Sequence, residues 1–135
     1  MVTIEQVAEI AEALPEVTVG ERHGRRTWFV GKKSFAWERP LTKADIRRFG
    51  DITPPDGEIV AISVEDMEDK EAVLAARHRG FFDMEHFRGY PAVLVQLRLA
   101  APGVVRDALV DGWLAVAPVP LAESFLAAER ERPRR

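Results

Sequence analysis

The chain has 135 residues, 47% of them hydrophobic and 30% charged, with a formal net charge of −3. That length suits one domain with one core, and that hydrophobic content excludes a disordered chain. Cysteine is absent, which excludes disulfides, a thiol nucleophile and a thiolate-held metal.

Residues 1–5 carry neither a basic region nor a long apolar run, so no signal peptide is expected and the location is expected to be cytoplasmic. Thr3-Ile4-Glu5-Gln6 reads as a capping box, followed by Ile4, Val7, Ile10, Ala11 and Leu14 at helical spacing. Pro15 stops that helix. Residues 17–23 alternate as a strand. Thr27-Trp28-Phe29-Val30 and Ser34-Phe35-Ala36-Trp37 then flank a Gly31-Lys32-Lys33 turn and predict a hairpin. Pro40 ends it, and a short helix capped by Thr42 and Asp45 runs to Phe49.

Residues 51–57, with Pro54-Pro55-Asp56-Gly57, predict a turn, and residues 58–63 a strand. Ser63 is expected to cap a helix reaching about His78, with Met67, Val73, Leu74 and Arg77 at inward or boundary positions. Gly80 breaks it, Phe81-Phe82 suits a short strand, and residues 91–99 a strong one. Pro102 opens a helix through Val105, Ala108, Leu109, Gly112, Trp113 and Val116. Pro118 and Pro120 interrupt it before a last amphipathic helix at residues 121–131. Residues 112–121 form the longest uncharged apolar stretch, too short to span a bilayer, so no membrane partner is expected. Adjacent, hairpin-linked strands predict an α+β fold. It is a single-domain, two-layer sandwich whose sheet is largely antiparallel, with helices packed on one face.

The charges are unevenly placed. Residues 22–48 hold nine basic residues against Glu38 and Asp45, whereas residues 51–71 hold eight acidic residues against Lys70. The acidic run at residues 65–69 suits a helix N-terminus, with a cation-binding ridge as the alternative. His23, His78 and His86 lack ligand spacing, so no metal and no cofactor are expected. Ser34, Ser63 and Ser124 lack a nucleophile motif, and no catalytic constellation is identified, so the chain is expected not to be an enzyme.

Two segments can bind. Arg22, Arg25, Arg26, Lys32 and Lys33 on the hairpin can meet phosphate oxygens, which makes DNA a candidate partner. Trp28 or Trp37 can stack on a base if exposed, but strand alternation turns one of Trp28 and Phe29, and one of Phe35 and Trp37, to the core, and burial of these aromatics is expected. His86, Arg88 and Tyr90 on the loop before the strong strand can hold a small anion, or the loop is a structural turn.

Several of these segments resemble the MmcQ/YjbR family of small bacterial proteins. They are Ala13-Leu14-Pro15-Glu16, the stretch from Glu21 through Gly31-Lys32-Lys33-Ser34-Phe35-Ala36, the His86-Phe87-Arg88-Gly89-Tyr90-Pro91 loop, and the closing helix ending Ala117-Pro118. The resemblance covers residues 1–120 and leaves residues 121–135 as a C-terminal helical extension with a basic tail. It implies an α+β fold like that of frataxin-like proteins and type III secretion chaperones, and a DNA-binding role. The chaperone likeness also implies a protein-interaction adaptor as the alternative, with another protein as partner. Oligomeric state stays open.

Overall fold

Thr3 begins the first helix as its motif predicts: its hydroxyl accepts from Gln6 N–H, and the Gln6 side chain accepts from Thr3 N–H. The computed structural model describes residues 1–131. Along them run α1 (Ile4–Glu12), β1 (Val17–Arg22), β2 (Arg25–Val30), β3 (Lys33–Glu38) and α2 (Lys43–Phe49). There follow β4 (Ile59–Ser63), α3 (Met67–Ala75), β5 (Phe81–Phe82), β6 (Ala92–Gln96), α4 (Pro102–Val116) and α5 (Val119–Glu131). The six strands form one sheet in the order β1-β2-β3-β4-β6-β5, every pairing antiparallel, so the fold is a single α+β domain.

Both faces of the central strands are buried. On β4, Val60 and Ile62 point to one side and Ile59 and Ala61 to the other; on β6, Val93 and Val95 oppose Ala92 and Leu94. The first side packs against α1 and α4 and contains Trp28, Phe35, Leu109 and Trp113, each fully buried. The second side holds Met84 and Phe87, with Trp37, Leu41, Phe49 and Phe82 packed around them. The larger helices therefore share one face as expected, and α2 and residues 83–91 add a smaller cover on the other. That smaller cover leaves part of the β1-β2-β3 surface open.

Two expected boundaries move. Asp66, not Ser63, caps α3: its carboxylate accepts from Asp69 N–H at 2.8 Å. Ser63 stays extended because it pairs with Ala92 at the end of β4, and the helix stops at Ala75, before Arg77 turns to φ 54°. The last strand ends at Gln96 rather than residue 99, because residues 97–99 close into a 3-10 turn. The C-terminal helix begins at Val119 and does not stand apart: Phe125 packs on Trp113 at 4.9 Å between ring centroids. Of the expected basic tail at residues 130–135, residues 132–135 lie outside the described residues.

Candidate functional site

His23 and Gly24 form the two-residue connection between β1 and β2, with φ 53° and 73°. Two positive φ angles suit the twist of a tight hairpin, and Gly and His tolerate them better than branched residues do. The turn pairs Arg22 with Arg25 at the tip. From there Arg22 folds back over the Phe29 ring, 5.1 Å from its centroid. Its guanidinium donates to Ser34 Oγ at 3.4 Å and to the Lys32 carbonyl at 3.3 Å. Arg25 and Arg26 are neighbours with opposite fates. Strand alternation sends Arg26 to the α1 side, where it meets Glu5 at 3.3 Å and Glu38 at 3.2 Å. Burial works against the Arg26 charge, but bonds to Glu38 and Glu5 outweigh it and raise its pKa above the ordinary value.

The second half of the site comes from residues 83–91. Phe87 is buried and anchors the segment in the smaller core. Trp37 stacks on it at 6.4 Å, and Tyr90 meets both rings edge-on, at 5.8 Å from Phe87 and 6.5 Å from Trp37. Arg39 lies 5.4 Å over the Phe87 ring and pairs with the buried Asp45 at 2.9 Å. Asp45 also closes the capping box of α2 with Thr42 and lies 3.4 Å from Arg48. Burial raises the Asp45 pKa, but the bonds from Thr42 and Arg39 prevail and hold it below the ordinary carboxylate value.

The two halves enclose a cleft of about 420 Å³. Arg22, His23 and Arg25 line one side, Thr27, Ser34 and Trp37 the floor, and Arg39, Thr42 and Tyr90 the other side. Among the described residues, Glu38 is the one acid lining this cleft, and its carboxylate is occupied by the Arg26 N–H and guanidinium. Among the described residues, no carboxylate pairs with Arg22 or Arg25. Tyr90 is 51% exposed, so its ring and hydroxyl are available.

The residues singled out from sequence divide accordingly. Arg22, Arg25 and Tyr90 meet in the cleft, Arg26 leaves it, and Lys32 and Lys33 stand exposed at the β2–β3 turn without lining it. His86 and Arg88 line a separate hollow of about 220 Å³ with Asp45, Arg48 and Glu85. One aromatic of each hairpin pair faces inward, as expected: Trp28 and Phe35 are fully buried, while Phe29 and Trp37 are half-buried and Trp37 lines the cleft. Sequence reasoning also missed Arg39 and Lys70. Lys70 is 2% exposed and was visible only as a lone cation in an acidic run.

Over 130 residues the chain is 39% identical to the uncharacterised protein Mb2600 of Mycobacterium bovis and to the uncharacterised proteins MT2646 and Rv2570 of Mycobacterium tuberculosis. The alignments span 94% of this chain and 98% of each relative. The chain belongs to the family of these mycobacterial proteins. No family model matches the chain. No solved structure matches it at a significant level.

Proposed function

We propose that this chain is a binding protein without a catalytic step, and that its ligand is an anion carrying a flat apolar group. The observation that carries this reading is the convergence, in one cleft of about 420 Å³, of Arg22 and Arg25 with Trp37 and Tyr90. A guanidinium presents a planar fork of donors that matches a carboxylate or phosphate. Here two such forks lack carboxylate partners among the described residues, so an incoming anion displaces no ion pair. An indole floor and a phenol wall suit a planar ring, and small-molecule clefts span about 300–1,000 Å³.

A second reading is supported by Lys32. Its carbonyl accepts from the Arg22 guanidinium, so the exposed Lys32 and Lys33 extend the cationic line beyond the cleft. A nucleic-acid strand could follow that line, its base stacked on Trp37, as the resemblance to MmcQ/YjbR proteins implies.

Binding of adenosine monophosphate and of a short single-stranded oligodeoxynucleotide, each measured across salt concentrations, tests both. The small-anion reading expects saturable nucleotide binding, lost in Arg25→Gln, with a shallow salt dependence. Strand binding that falls steeply with salt and needs Lys32 and Lys33 favours the second. Neither ligand binding at low salt removes both.

A further inference from the structure

We infer that Lys70 is the positioning residue of this cleft: its buried ammonium fixes the backbone that carries Tyr90, and with it the wall against which a ligand stacks. The inference rests on the cleft reading and extends it to a residue that touches no ligand.

Lys70 sits in α3, outside the cleft, with only 2% of its surface exposed. A buried ammonium is costly unless its three protons find acceptors. Among the described residues, its two hydrogen-bond acceptors and its paired carboxylate all belong to one short segment. Nζ donates to the Phe87 carbonyl at 2.7 Å and to the Tyr90 carbonyl at 2.8 Å, and lies 3.0 Å from Asp83 Oδ1. The other backbone bonds from Met84 to Tyr90 are local: Phe87 N–H to Met84, Arg88 N–H to Glu85, Tyr90 N–H to Phe87, and Ala92 N–H to Tyr90; beyond Tyr90, the Pro91 carbonyl accepts from Val64 N–H at 3.0 Å. Gly89, at φ 80°, provides the bend. The Tyr90 carbonyl accepts from Lys70 Nζ and Ala92 N–H together, which orients the peptide on which the ring stands. Removing the ammonium leaves Phe87 anchored in the smaller core and Pro91 held by Val64, and frees residues 88–90 between them.

A mutant cycle on adenosine monophosphate binding separates positioning from general stability. Lys70→Met and Tyr90→Ala are expected to weaken binding about tenfold each, and the double variant no more than Tyr90→Ala alone. Leu109→Ala, in the core on the other sheet face, serves as the stability control and is expected to keep the wild-type affinity. Additive losses in the double variant, or an equal loss in Leu109→Ala, would overturn the assignment. Should Lys70→Met not fold, Lys70→Gln takes its place in the same cycle, and failure of both to fold makes Lys70 a folding residue only and ends the proposal. If the wild-type protein binds no nucleotide, the cleft reading fails by itself, and amide hydrogen exchange then decides the positioning. Exchange at Tyr90 and Ala92 must accelerate in the Lys70 variant well beyond that at Trp28 and Ala36; a uniform change, or none, overturns it.

Discussion

The Glu38 carboxylate accepts from both the backbone N–H of Arg26, at 3.1 Å, and its guanidinium, at 3.2 Å. This closed pair removes Arg26 from any role in anion capture and leaves Arg25, one residue earlier, exposed beside Arg22 at the hairpin tip. Arg25→Gln is therefore expected to abolish nucleotide binding without lowering the thermal midpoint. Arg26→Gln should keep binding and cost about 1 kcal/mol or less of stability, since both partners are partly solvated. Calorimetric titration beside a urea melt checks the pair.

Asp45 controls the acid limb of stability. Its folded pKa is depressed, so the stability it contributes is present above the unfolded value and is lost as pH falls through the folded one. Stability of the wild type should therefore drop below about pH 4, the ordinary carboxylate range. Asp45→Asn should remove part of that drop and cost about 2–3 kcal/mol at neutral pH, because it leaves the largely buried Arg39 without its counter-charge. Urea melts across pH measure both effects.

Asp111 behaves in the opposite way. Burial, then the charges of Asp107 and Asp69, push its pKa up. A raised carboxyl pKa means the stabilising contribution exists below the unfolded value and disappears as pH rises through the folded one. Asp111→Asn should therefore raise the melting temperature at neutral pH and make little difference in acid.

Gly112 lets α4 lie directly on the sheet. A Cβ there would meet Ile62 Cγ2 and the Ser63 carbonyl, each at 2.9 Å. Gly112→Ala should improve helix propensity yet destabilise the protein by about 2 kcal/mol, because the backbone contact cannot yield. Thermal unfolding gives the sign directly.

Much of the scaffold was legible in the chain. The Thr3 and Thr42 capping boxes and the aromatic hairpin are local signals, and local chemistry decides them. Ser63 misled because a strand pairing with Ala92, distant in sequence, holds it extended and leaves the cap to Asp66. The site was harder to read. Strand alternation separates Arg25 from Arg26, but only the positions of Glu38 on β3 and Glu5 on α1 show which one meets a carboxylate. Trp37 is only half-buried because the second cover ends beside it, at Tyr90. Lys70 showed only as a lone cation in an acidic run, which does not point to its acceptors, since these are carbonyls that any residue supplies.

The central claim is tested most directly by tryptophan fluorescence during titration with adenosine monophosphate. Trp28 and Trp113 are fully buried, with their indole N–H groups bonded to Glu12 and Pro15, so Trp37 is the reporter at the cleft. A saturable change that disappears in both Trp37→Phe and Arg25→Gln is the predicted result. A titration without any change, or one that persists undiminished in Trp37→Phe, contradicts the account.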